Sequence, residues 1–198
     1  MSGTAKKRII VGISGASGII YGIRALEMLA KAGVETHLVM SKAAEMTLAY
    51  ETDYKAKDVR ELASVSHAIG DIGASISSGS FHTLGMLVAP CSIRTMSEIC
   101  TGITGTLLSR AADVVLKERR RLVLGIRETP LHTGHLRTMT QLSEMGAVIC
   151  PVVPAFYNRP TSLDDIVNHS VGRMLDLFDI DTGLVKRWKD DGGAGGGT

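Results

Sequence analysis

A chain of 198 residues, 44% hydrophobic and 21% charged, is long enough to bury a core without staples and reads as one globular domain, not a disordered segment. A net charge of +2 is too small for a nucleic-acid footprint, and 4% aromatic residues argue against base stacking as the main business. No apolar run approaches the roughly 18 residues of a membrane span, no leader-like stretch precedes the first strand, and Cys91, Cys100 and Cys150 lack CxxC spacing, so reduced thiols in a cytoplasmic protein are expected.

In chain order, the first element is a strand at Ile9–Ile13, followed by the turn "SGASG" and a helix over Ile19–Ala32. Ile19, Ile23, Leu26 and Ala30 fall on one face of that helix, with Arg24, Glu27 and Lys31 on another. A second strand, Thr36–Met40, runs into Ser41 and a helix over Lys42–Glu51. The strand Met86–Ala89 leads through "PCSIRTMSE" into a helix at Ile93–Thr101, and a further helix covers Leu107–Arg120. The strand Leu122–Ile126, the helix Gly134–Met145, the strand Ala147–Val153 and the helix Leu163–Phe178 complete the order. The basic run "KERRR", Lys117–Arg121, reads as a solvated helix end.

All five strands are continuous apolar runs, as strands covered on both faces require. Alternation of strand and helix implies a parallel sheet with right-handed crossovers. The fold class expected is therefore α/β, a three-layer, doubly wound parallel sheet over residues 1–190. Residues 191–198, "GGAGGGT" and its flank, are set aside as a disordered glycine-rich tail, and Trp188, the sole tryptophan, is assigned to packing. Such sheets bind ligands at the carboxyl ends of their strands, where strand order reverses.

The first strand end is the glycine turn. Gly12, Gly15 and Gly18 do not spell GxGxxG, because Ile13 stands where the first glycine would have to be, and the second strand ends "LVMSKAA" with no acidic residue for a ribose. There is no GxxxxGK[ST] either. What remains, Ser14–Gly18, offers two hydroxyls and backbone N–H groups at a helix start, which suits one phosphate monoester. The alternative is a plain turn with Ser17 as helix N-cap. Ser41 opens the second helix, and Ser92 and Thr95 open the third. Three hydroxyl-bearing helix starts make a pocket of neutral donors that fits a mononucleotide such as FMN better than a dinucleotide.

With "GASGIIYG", "SKAAEMTLAYETD", "APCSIRTMSEI", "RAADVVLKERRRLVLGIRETP" and "FYNRP" in view, the chain resembles the flavin prenyltransferase (UbiX-type) family, and within it the B subunits encoded beside phenolic-acid decarboxylases. The likeness runs from about Arg8 to Trp188. It implies a flavodoxin- or Rossmann-like flavoprotein fold. The implied reaction joins the dimethylallyl group of dimethylallyl monophosphate to reduced FMN at N5 and C6. The product, prenylated FMN, is the cofactor of a separate UbiD-type decarboxylase of aromatic acids. The family also forms homo-oligomers, commonly dodecamers, with sites at subunit junctions.

By the same resemblance, Gly15, Ala16, Ser17, Ser41, Ser92, Ile93, Arg94, Thr95 and Arg127 fall at FMN-contacting positions. Lys117, Tyr157 and Arg173 match contacts to the prenyl phosphate, with Arg110 nearby. Arg110 and Lys117 lie seven apart and share a helix face. Ionising an allylic phosphate requires stabilising the departing phosphate and keeping water from the cation. The chain has no DDxxD motif for Mg²⁺, so cationic side chains would do this and no metal is expected. The catalytic set implied is Glu128, Ser17, Lys117 and Glu51. Glu128 would donate a proton to the phosphate and then help remove one as the second carbon bond closes. Ile72 stands where some relatives carry a tryptophan, and "SSGS" at Ser77–Ser80 matches a loop the family uses near its site.

Two rival readings remain. Flavin-dependent oxidative decarboxylases of peptidyl cysteine share the fold and use a histidine base, for which His67 is the candidate, but "PVVPAFYNRP" replaces their PAMNxxM-type segment. A non-catalytic flavin carrier would need neither Lys117 nor Glu128. Direct decarboxylation finds no Schiff-base lysine after a strand and no metal triad; His132 and His135 are read as a helix start.

Overall fold

A computed structural model describes residues 7–185; the glycine-rich tail and Trp188 lie outside the described residues. Six strands, β1 (Arg8–Ile13), β2 (Glu35–Met40), β3 (Val65–His67), β4 (Gly85–Cys91), β5 (Arg121–Ile126) and β6 (Ala147–Ile149), form one sheet. Its order is β3-β2-β1-β4-β5-β6, with every neighbouring pair parallel. The chain winds outward from β1 in one direction and from β4 in the other, so strand order reverses between these two central strands.

Among the described residues, seven helices cover the two faces: α1 (Ile19–Lys31), α2 (Lys42–Glu51), α3 (Ala56–Glu61), α4 (Ile93–Cys100), α5 (Leu107–Lys117), α6 (Thr133–Glu144) and α7 (Leu163–Asp176). Side chains alternate across the pleat. Ile9, Val11, Ile13, Leu87 and Val123 form one core with α1, α2, α3 and α7. Ile10, Met86, Val88, Leu122 and Leu124 form the other with α4, α5 and α6. Both faces are therefore apolar, which is why the strands read as unbroken runs. Helix α1 lies close on the sheet because Gly22 faces it: a Cβ there would sit 2.5 Å from the Ala89 carbonyl oxygen and 2.7 Å from Ile13 Cδ1.

Three elements depart from the expected pattern. β3 is a three-residue edge strand with Val65 and Ser66 exposed, and α3 buries only Val59, so neither carries an apolar signal. β6 stops at Ile149, short of the expected Val153. Cys150 and Val152 still donate to the Leu124 and Ile126 carbonyls at 2.9 and 3.1 Å, but Pro151 and Pro154 have no N–H to extend the ladder. Pro90 is accommodated within central β4 because the register to β5 shifts between Val88 and Cys91.

Candidate functional site

The crevice opens where β1 and β4 part. Ser14, fully buried, stitches the two strand ends together: its hydroxyl donates to the Pro90 carbonyl at 2.9 Å and accepts the Ser92 N–H at 2.8 Å. The Ser14 N–H also donates to Pro90, at 3.2 Å. This hydroxyl, counted from the sequence among the donors of the glycine turn, is thus used up in joining strands. A buried serine and a ligand-facing one look alike in sequence.

Beside that stitch lies a cavity of about 470 Å³, within the range of about 300–1,000 Å³ usual for small-molecule sites. Of the residues expected there, Gly15, Ser41, Ser92, Ile93, Arg94, Thr95 and Glu128 border it. Ser41 and Ser92 cap α2 and α4, accepting the Ala44 and Thr95 N–H groups at 3.0 and 3.3 Å, so two helix starts converge on one space. Gly15 lets the turn pass bare against α2, since a Cβ would lie 2.4 Å from that of Ala43. Lys42, Glu98 and Thr106 also border the cavity and were not foreseen. Lys42 directly follows the cap Ser41, and that adjacency was the available signal. Glu128 stands exposed at the rim, accepting the Thr129 N–H at 3.0 Å, and Arg94 pairs with Glu98 at 2.9 Å.

The start of α1 differs from the other two. Its N-cap is Gly18 at φ 93°, not Ser17, and no side chain of the turn caps it. Glu51, from the end of α2, does so instead, accepting the Gly18 and Ile19 N–H groups at 2.8 and 3.0 Å. Partial burial raises the Glu51 carboxyl, but hydrogen bonds from the Ser17 hydroxyl and both N–H groups, with the Arg127 cation beyond, outweigh it and hold the group below its ordinary value. The helix start that invites an anion already holds one from the same chain. The helix starts that border the cavity are those of α2 and α4. Arg127 also opposes the rise that burial imposes on Tyr21, so Ser17, Tyr21, Glu51 and Arg127 form one polar cluster beside Ala16, whose own N–H is bonded to Ser14 at 2.9 Å.

The residues expected at the prenyl phosphate are not brought to this cavity by their own chain. Helix α5 runs from the carboxyl end of the sheet back to its amino end, leaving Lys117 just before β5 begins, whereas Glu128 follows the end of β5. The six residues of β5 set them roughly 20 Å apart. Lys117 pairs with Glu118, and the "SSGS" loop lies there too: a Cβ on Gly79 would meet Glu118 and Lys117, and Arg120 holds the Gly79 and Phe81 carbonyls at 2.6 and 2.7 Å. Arg110 pairs with Asp113 at 2.7 Å, and Arg173, on α7, with Asp176 at 2.7 Å. Tyr157, in the loop after β6, meets His169 of α7 at 2.9 Å.

The histidine expected as a base is spoken for, whereas His135 Nδ1 is buried without a hydrogen-bond partner among the described residues, its ring centroid lying 3.6 Å from that of His132. His67 bonds His37 at 3.0 Å, which in turn bonds Glu35 at 2.9 Å, and it does not border the cavity. Burial and then the neighbouring His37 lower its pKa, against a smaller opposing effect of Asp71. His132 caps α6 through the Gly134 N–H at 3.0 Å. Ile72 is 44% exposed. Among the described residues, no group of three or more His, Cys, Asp or Glu is placed to hold a metal ion, and no helix is long and apolar enough to cross a membrane.

The Flavoprotein family model matches residues 2–187. The chain is 61% identical over 181 residues to the flavin prenyltransferase UbiX of Thauera aromatica, covering 91% of this chain and 93% of that one. It superposes on the crystal structure of AnUbiX (PadA1) in complex with FMN and dimethylallyl pyrophosphate with a TM-score of 0.91 and 55% identity, over 92% of this chain and 97% of that one. A dodecameric FMN-dependent Ubix-like decarboxylase from Escherichia coli O157:H7 is similar at a TM-score of 0.88 and 51% identity, over 91% and 98% of the two chains.

Proposed function

Because the chain belongs to the UbiX-type flavin prenyltransferase family, we propose that it joins the dimethylallyl group of dimethylallyl monophosphate to reduced FMN at N5 and C6, making prenylated FMN for a partner UbiD-type decarboxylase of aromatic acids. The observation that carries this reading is the cavity between the capped starts of α2 and α4, with a carboxylate, Glu128, at its rim. The residues present fit FMN. Ser41, Lys42, Ser92 and Thr95 would hold its phosphate end. Gly15, Ala16, Ile93 and Arg94 would border the remainder, and Ser17 with Arg127 would lie at the ring edge. When bound, reduced FMN supplies the nucleophilic ring positions. No metal is required in this reading.

Glu128 donates its proton to the departing phosphate and later takes one up, while Glu51 fixes Ser17 and the turn. Lys117, Arg110, Tyr157 and Arg173 bind the prenyl phosphate. The distance from Lys117 to its own Glu128 supports a site completed by neighbouring copies in a homo-oligomer, a dodecamer like the E. coli protein. The reading places the enzyme in the cytoplasm, as a single FMN-binding domain, without nucleic-acid or membrane partners. Oxidative decarboxylation of peptidyl cysteine is disfavoured by His67, which bonds His37 away from the cavity.

The test is anaerobic incubation with reduced FMN and dimethylallyl monophosphate, followed by mass analysis of the extracted flavin. One added dimethylallyl unit, lost in Glu128→Gln while FMN binding persists, is the expected result. Tightly bound but unmodified FMN would refute prenyl transfer and favour a carrier.

A further inference from the structure

The turn at Ser78–Phe81 is closed by the Phe81 N–H on the Ser78 carbonyl at 3.2 Å, and a single side chain holds it from outside. Arg120 donates through Nη2 to the Gly79 carbonyl at 2.6 Å and through Nη1 to the Phe81 carbonyl at 2.7 Å. Each carbonyl takes one terminal nitrogen of the planar guanidinium, a fork that the point charge of a lysine does not offer. Arg120 is itself fixed at its base. α5 ends with Arg119 in the left-handed region, at φ 55°, and the Arg119 and Arg120 N–H groups return to the Leu116 and Val115 carbonyls at 3.0 and 2.9 Å. β5 begins at the next residue.

What the clamp holds lies against Lys117. A Cβ on Gly79 would sit 2.9 Å from Lys117 Nζ and 2.0 Å from Glu118 Oε1, so the turn passes the tips of both side chains. On either side of Gly79, the exposed Ser78 and Ser80 hydroxyls share one hydrogen bond at 2.9 Å. One of their two protons is spent in it, and the other is left to give. An ammonium and a hydroxyl donor side by side suit a phosphate oxygen. Resting on the reading given above for Lys117, we propose that Arg120 is a positioning residue for prenyl-phosphate binding: by clamping the Gly79 and Phe81 carbonyls it keeps the Ser78 and Ser80 hydroxyls beside the Lys117 ammonium, so that they meet the phosphate as one surface. Arg120 does not touch the substrate; its amino groups point at the turn.

The experiment is steady-state kinetics of the full-length enzyme with reduced FMN and varied dimethylallyl monophosphate. The variants are Arg120→Met, Arg120→Lys, the pair Ser78→Ala/Ser80→Ala, and that pair combined with Arg120→Met. The serine pair is expected to raise KM about tenfold, the loss of a hydrogen bond to a charged group. Arg120→Met should raise KM similarly with kcat within about threefold, since only binding is affected, and should add little to the serine pair, because both changes remove the same contact. Arg120→Lys, which keeps the charge but not the fork, should fall between Met and wild type. FMN affinity and assembly size, both expected unchanged, check folding, and the Lys variant with the serine pair carries the test if Arg120→Met fails to assemble. A lowered Tm in Arg120→Met with wild-type KM overturns the inference and leaves a merely structural clamp. Wild-type KM in the serine pair, or fully additive effects in the combination, overturns it as well. Lys117→Ala stands apart: wild-type kinetics there overturn the underlying reading that Lys117 meets the phosphate, whereas lost turnover there beside an unchanged Arg120→Met refutes the role of Arg120 alone.

Discussion

Replacing Glu51 tests whether the α1 start is held by a charge from within the chain. Glu51→Gln keeps one acceptor oxygen but removes the charge that faces the Gly18 and Ile19 N–H groups and the Ser17 hydroxyl. A charge at a helix start contributes about 0.3–1 kcal/mol, and losing a capping acceptor altogether, as in Glu51→Ala, costs about 1–2 kcal/mol. Glu51 is largely exposed, so solvent screens the charge and the Gln variant belongs at the lower end. A loss of about 1 kcal/mol in the Ala variant corresponds to a fall in Tm of about 2–4 °C for a chain of this size. The pH dependence follows from the depressed carboxyl. Its contribution is fully present above the ordinary value of 4.5 and fades as pH falls through the lower folded-state value. Thermal denaturation of wild type, Gln and Ala variants, at one protomer concentration and stepwise from neutral to acid, should show a gap at neutral pH. The gap between wild type and Glu51→Gln should close below the ordinary carboxylate value. Equal Tm values at neutral pH, or a gap that persists unchanged into acid, would refute the capping argument.

Gly15→Ala should weaken FMN binding at least about tenfold by fluorescence titration, about 1.4 kcal/mol, because the new methyl would lie 2.4 Å from Ala43 Cβ and push the turn off α2. Ser14→Ala should cost about 1–3 kcal/mol of stability in thermal unfolding, since it leaves the Ser92 N–H without its partner and the Pro90 carbonyl with only the backbone N–H of residue 14; an unchanged Tm would show that the strand ends need no stitch. Lys117→Ala and Glu128→Gln, each inactive alone, should regain prenyl transfer when co-expressed in mixed assemblies, whereas continued inactivity would mean that each chain completes its own site.

The sheet was legible because strands such as Met86–Ala89 and Leu122–Ile126 are buried on both faces and so advertise themselves as apolar runs. β3 and α3 were not, because an exposed edge of three residues and a short helix with one buried valine leave no periodicity. At the site, Ser41 and Ser92 were readable as caps from their place between strand and helix. Ser14 and Ser17 were not separable by that rule: one is buried between two strands, and the other defers to Glu51, 34 residues further along the chain. Proximity of that kind arises from packing, and local sequence holds no trace of it. The pairing of Tyr157 with His169 was hidden likewise, since a loop and a helix meet only once the chain has turned back on β6.

Helix α5 has a consequence of another kind. Its 11 residues start from a capping box at Thr106, beside the cavity, and carry Lys117 to the far rim of the sheet. The helix is a ruler, fixed at one end and read at the other. Inserting one residue would turn Lys117 by roughly 100° about the axis and advance it by about 1.5 Å, with the cap, the cavity and the flavin contacts of the same chain left as they were. If Lys117 serves a neighbouring copy as proposed above, the length of this helix is as much a specification of the site as the identity of any residue in it, and drift in it would surface first between copies.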